Sequence, residues 1–182
     1  MLESVLKDIE SAKENKAYIS ALSLALTLPD IFIRMEGKRG GAEYSKWFDQ
    51  WVYDYYRQPE SKNIYINKGI EATKFDGKNC YALRCALLHA GNTDLLKNKG
   101  RIQTFKLFAC EDNFAGMDTY MCDISDEGTS GSYVCLNIVC LIDLLLRGAR
   151  QYISLNTRAI ECYENRNDEK ICLVGSIDIE VM

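Results

Sequence analysis

Asp76-Gly77-Lys78-Asn79-Cys80-Tyr81-Ala82-Leu83-Arg84-Cys85-Ala86-Leu87-Leu88-His89-Ala90-Gly91-Asn92 reads as a short helix with both ends marked. An aspartate ahead of the first turn accepts hydrogen bonds from its free amides, which makes Asp76 the N-cap. Gly91 stands where a left-handed stop is expected, since glycine reaches positive φ without a Cβ clash. The spacing predicts a helix over 77–90, packed against the apolar segments 17–28 and 134–146. Inside it lie Arg84 and His89, the latter the only histidine in 182 residues. On an α-helix, five residues correspond to about 7.5 Å of rise and about 140° of rotation. The two side chains therefore leave on neighbouring sides, one turn apart, and can converge on one small anion.

Arg84 and His89 suit phosphate chemistry. A guanidinium stays protonated and offers a planar fork of donors that matches phosphate oxygens. An imidazole changes charge near neutrality and can move a proton to or from a ribose oxygen. Tyr81, one turn before Arg84, can donate its hydroxyl to the same anion. Lys97, Lys99 and Arg101 form a basic stretch beyond the helix, suited to holding a phosphate chain. Each has a plainer alternative. A histidine in the last turn of a helix interacts with the negative end of the dipole. Arg84 can pair with Glu71, Asp76 or Asp94, Tyr81 can be structural, and the three basic residues can be a solvated loop. A Cys85–His89 dyad is a further option, but Cys85 lies among Leu83, Leu87 and Leu88, and burial makes a thiol inert. Cys80, in the first turn, is expected to pack, with a thiol pKa lowered by the helix N-terminus.

The Arg84-x4-His89 form resembles the motif of HEPN domains, helical bundles that include many metal-independent ribonucleases of toxin–antitoxin, abortive-infection and CRISPR-associated systems. The run Cys80–Gly91, with Leu28-Pro29-Asp30-Ile31 and Tyr44-Ser45-Lys46-Trp47-Phe48 upstream, is also similar to bacterial HEPN-like proteins of unknown role. The resemblance covers about the first half of the chain. It implies Arg84 and His89 as catalytic residues, a homodimer that brings two such helices face to face, RNA or a nucleotide as ligand, and an antitoxin protein as a further partner. Cys85 departs from the pattern, because active members often carry Asn, Asp or His after the arginine. Other family members are helical partners only, so a non-catalytic dimerisation module is the competing expectation.

The rest of the chain bounds these readings. With 47% apolar and 26% charged residues, the composition is that of an ordinary globular domain, expected to span 1–182 without a linker. A net charge of −4 gives no bulk attraction to nucleic acid, so any anion site must be a local concentration of charge. Eight cysteines, several within apolar helical runs and without a leading signal segment, are expected to be free thiols in a reducing cytoplasm. With no Cys-x2-Cys or His-x3-His spacing and one histidine, neither a metal nor another cofactor is expected.

Periodicity places Leu2, Val5, Leu6 and Ile9 on one side of a first helix. Residues 17–28 form a buried apolar helix, too short to span a bilayer and broken at Pro29. Tyr44, Trp47, Phe48, Trp51 and Tyr55 recur at helical spacing and are expected in the core rather than as a base-stacking platform. Residues 102–109, 119–124 and 171–182 read as strands, 126–131 as a turn, and 134–153 as a long apolar helix that 154–163 extends. The expected fold is mainly α, a bundle of about five helices with a small antiparallel sheet from the C-terminal half.

Overall fold

The computed structural model describes residues 2–53, 75–90, 104–111, 119–126 and 129–167. Its helices are α1 (Leu2–Glu14), α2 (Tyr18–Ala25), α3 (Leu28–Met35), α4 (Gly41–Trp51), α5 (Gly77–Cys85), α6 (Ile138–Leu155) and α7 (Thr157–Asn167). A π-helical turn, Ala86–Ala90, continues α5 directly, and the strands are β1 (Thr104–Phe108), β2 (Thr119–Asp126) and β3 (Thr129–Asn137). The mainly helical architecture with a small sheet is as expected.

Apolar periodicity builds the bundle. α1 buries Leu2, Leu6 and Ile9, the side predicted from spacing. The apolar run after it divides where Pro29 requires: α2 ends at Ala25, and Pro29 sits in the first turn of α3. A proline is tolerated there because the first amides of a helix have no intrahelical partner. The span Tyr18–Met35, which takes in both helices, is by length and composition long and apolar enough to cross a membrane. However, 44% of it is buried inside the protein. The stripe of α4 is core, as expected: Tyr44, Trp47 and Phe48 are buried. Phe32 of α3 stacks on Trp47 with ring centroids 5.2 Å apart, and Tyr152 of α6 lies 4.5 Å from Phe32. Trp51 meets Tyr152 edge-on, whereas Tyr55 lies outside the described residues. Offset and edge-on aromatic pairs of this kind add about 0.5–1.5 kcal/mol each beyond area burial. Buried side chains from all these helices form one cluster.

Several expectations need correction in the C-terminal half. The sheet has the order β1-β3-β2 and is mixed: β2 runs antiparallel to β3, but β1 runs parallel to it. The β1–β3 connection is long enough for β1 to be carried around and laid beside β3 in the same direction, which a tight hairpin cannot do. The long helix also begins later than 134. Residues 129–137 are strand, including part of the expected 126–131 turn, and α6 starts at Ile138. A continuous apolar run does not by itself separate a strand from a helix. The boundary is set by Asn137, whose side-chain Oδ1 accepts from the amide of Val139 at 3.2 Å and caps α6. The Asn137 amide group also donates to the Cys110 carbonyl at 3.0 Å, fixing the strand–helix junction. The 154–163 extension is interrupted at Asn156, after which α7 begins. The expected strand at 171–182 lies outside the described residues.

Candidate functional site

The helix carrying Arg84 and His89 is set by its first residue and by α4. Asp76 caps it as predicted, one carboxylate oxygen accepting from the amides of Lys78 and Asn79 at 3.1 Å each. The Gly77 amide donates to Asp49 of α4 at 2.7 Å. Gly77 also lets the two helices touch backbone to backbone, because a Cβ there would lie 2.1 Å from the Ser45 carbonyl oxygen. At Gly41 a Cβ would lie 2.4 Å from the Tyr81 ring, so the first residue of α4 is the seat of that tyrosine. The chief packing partner of α5 is therefore α4, rather than the expected segments 17–28 and 134–146. Glycines are the reason: they remove the side chains that would hold α4 and α5 apart.

Beyond Cys85 the helix departs from the regular α geometry expected through residue 90. Residues 86–90 form a single π-helical turn. In such a turn hydrogen bonds run over five residues instead of four. Residues five apart are thereby brought towards one face, where an α-helix would separate them by about 140°. The consequence is direct contact: Arg84 Nη1 and His89 Nε2 are 2.6 Å apart. Arginine has donors only, so Nη1 donates and Nε2 accepts.

Arg84 has a second partner that the helix alone did not announce. Asp30 Oδ2, in the first turn of α3, accepts from Arg84 Nε at 3.0 Å and lies 3.0 Å from Nη2. Neither Glu71 nor Asp94, two of the anticipated partners, lies among the described residues, and Asp76 is occupied as a cap. The Arg84 and Asp30 side chains are 20% and 24% exposed, so the pair is largely shielded, while His89 is exposed. Burial disfavours the Arg84 cation, but the charge of Asp30 and a hydrogen bond with Cys85 outweigh it, raising its pKa above the ordinary arginine value.

Tyr81 shares this surface. Its hydroxyl is hydrogen-bonded to Cys85, which, with that group's charge and partial burial, raises the phenol pKa above the usual value. Its ring lies 5.2 Å from that of Tyr44. Cys80 packs, as expected, but its thiol moves opposite to the expected direction. Complete burial pushes its pKa well up, overriding the favourable contact with Tyr44. The Tyr44 hydroxyl lies 3.6 Å from the Cys80 sulfur and donates to the Leu26 carbonyl at 2.9 Å. Lys97, Lys99 and Arg101 lie outside the described residues. Among the described side chains, Cys80, Cys85, Cys110, Cys140 and Cys162 are free thiols. Among the described residues, no group of three or more His, Cys, Asp or Glu side chains could hold a metal ion.

A separate cleft of about 650 Å³ runs between α1 and α6, lined by residues including Glu10, Lys13, Asp143, Leu146 and Arg150. Its charges are used across the seam, Lys13 pairing with Asp143 and Arg150 with Glu10. Neither Arg84 nor His89 lines it.

The sequence had shown Arg84, His89 and Tyr81 but not the role of Asp30. The available signals were an acid one residue after Pro29, in the first turn of a helix, and its place in the Leu28-Pro29-Asp30-Ile31 block. No family model matches this chain, and neither a curated protein nor a solved structure matches it.

Proposed function

We propose that this protein is a HEPN-like, metal-independent endoribonuclease or RNA-binding protein, with Arg84 and His89 as its working pair. The observation that carries this reading is the 2.6 Å convergence of Arg84 Nη1 and His89 Nε2 at the exposed end of α5. Arg84 would hold a phosphodiester and offset the charge that develops on its oxygens. His89 would take the proton of the adjacent ribose 2′-OH, whose oxygen attacks phosphorus and expels the 5′-oxygen. Products would carry a 2′,3′-cyclic phosphate and a free 5′-hydroxyl. One histidine supplies one proton transfer, so a homodimer pairing two such helices is part of the proposal. A cytoplasmic setting in toxin–antitoxin or phage-defence systems, with an antitoxin as partner, fits the same resemblance.

Labelled single-stranded RNA incubated in EDTA tests the reading: wild type should cut it, while His89→Ala and Arg84→Lys should not. A lysine fails because an ammonium lacks the planar two-donor fork. The competing reading is a non-catalytic helical interaction module. It is favoured by the Asp30–Arg84 ion pair, which gives Arg84 a structural task between α3 and α5. An inactive wild type, together with a large loss of thermal stability in Arg84→Lys, would select it.

A further inference from the structure

The Arg84–His89 contact constrains the proton on the imidazole. A guanidinium has no acceptor, so Nε2 must be bare and the neutral ring must carry its proton on Nδ1. The lone pair on Nε2 is the one a base would use, and Arg84 Nη1 covers it at 2.6 Å. Asp30 meanwhile takes the Nε and Nη2 edge of the same guanidinium. The carboxylate, the guanidinium and a neutral imidazole sum to zero charge. In this form the array is poorly matched to a dianion.

We propose that the Arg84–His89 contact is the closed form of a seat for a dianionic phosphate group, and that filling the seat takes up a proton on His89. The inference rests on the reading of Arg84 and His89 as a phosphate site and adds the ligand's charge class and how the site opens. An entering phosphate oxygen replaces Nε2 as acceptor of the Nη1–H. The released Nε2 accepts a proton from solvent and donates it as a hydrogen bond to a second phosphate oxygen. Asp30, Arg84 and the imidazolium then carry a net single positive charge towards the ligand. The ligand class is a phosphomonoester, such as an RNA chain ending in a phosphate. An internal phosphodiester, with one negative charge, gains less from the added proton.

Among the described residues, the ionisable and charged groups facing this pair are Asp30 from α3, Tyr44 from α4, and Tyr81 and Cys85 from α5. Both tyrosines are held above the usual phenol range, so neither changes charge between pH 5 and 8. Asp30→Asn and Cys85→Ser serve as controls for the other two.

Because the chain has one histidine, its imidazole signals assign themselves. Long-range proton–nitrogen spectra of the labelled full chain should show the Nδ1–H tautomer at pH 8. Inorganic sulfate, a dianion throughout the range, is the probe, titrated at ionic strength fixed with sodium chloride. Its affinity should rise about tenfold from pH 8 to pH 5.5, because binding and proton uptake are linked. Calorimetry of the wild type in buffers of different ionisation enthalpy should register net proton uptake, so the result does not depend on any variant folding. The Nε2–H tautomer in the free protein, or sulfate affinity that does not change with pH, would overturn the proposal. RNA cleavage reads the other claim independently. Proton-linked sulfate binding without RNA cleavage keeps the seat and removes the nuclease, and cleavage without linkage does the reverse.

Discussion

Asp30 and Arg84 are 54 positions apart, yet one carboxylate oxygen of Asp30 holds Arg84 through both Nε and Nη2 at 3.0 Å. This ion pair ties α3 to α5 and aims the remaining nitrogen, Nη1, at His89. Its removal should therefore register in stability and in chemistry together. Asp30→Asn is expected to cost about 1–2 kcal/mol, more than an exposed pair because both side chains are largely shielded. Urea unfolding of Asp30→Asn, Arg84→Lys and the double variant should give a coupling energy of about 1 kcal/mol. A coupling of zero means the pair does not form in solution.

The α4–α5 contact makes a second prediction. A Cβ at Gly77 would lie 2.1 Å from a backbone oxygen, and a backbone cannot swing aside as a side-chain tip can. Gly77→Ala should destabilise the protein by about 1–3 kcal/mol, despite alanine's better helix propensity. If the melting temperature of Gly77→Ala rises instead, the close approach of α5 to Ser45 is wrong.

Burial of ionisable core groups sets the alkaline limit of the fold. Burial pushes the Tyr44 phenol and the Cys80 thiol up, and burial plus the Glu36 hydrogen bond does the same for Tyr152. Groups whose folded pKa is raised bind more protons in the folded state than in the unfolded one. Their contribution is complete below the unfolded values, about 8.5 for cysteine and about 10 for tyrosine, and is lost as pH rises above them. Urea midpoints should thus fall steadily between pH 8 and pH 10.5, and Tyr152→Phe should flatten the fall. A profile that stays level over that range contradicts the buried placement.

Thiol reactivity separates two cysteines cleanly. In the native protein, iodoacetamide followed by mass spectrometry should label exposed Cys162 and leave buried Cys80 unmodified until unfolding. Equal labelling rates for the two would mean that α5 does not pack as described.

Much of this fold was legible because local signals and packing agree. Asp76 caps α5, Pro29 divides α2 from α3, and the aromatic residues of α4 are core, each from a pattern within a few residues. The misreadings came where the deciding partner is distant or the pattern has no period. Asn137 starts α6 within an apolar run that suited strand and helix equally. Cys80 is at a helix N-terminus, but its burial under Tyr44 outweighs the dipole. At the site, Arg84 and His89 stood out by residue type, whereas their contact depends on a π turn with no sequence signature. Asp30 could not be chosen because three nearer acids were equally plausible partners for Arg84.

The most direct measurement of the proposed function is cleavage of 5′-labelled single-stranded RNA in EDTA, with wild type, His89→Ala and Asp30→Asn compared at equal folded concentration. His89 is exposed, so His89→Ala should melt within a few degrees of wild type while losing at least about a hundredfold in rate, the usual contribution of a general base. Asp30→Asn should retain partial activity, because it positions Arg84 without touching RNA. The wild-type products should end in 2′,3′-cyclic phosphate. If wild type and His89→Ala leave the RNA equally intact, or cut it at equal rates, the Arg84–His89 pair is not a ribonuclease centre.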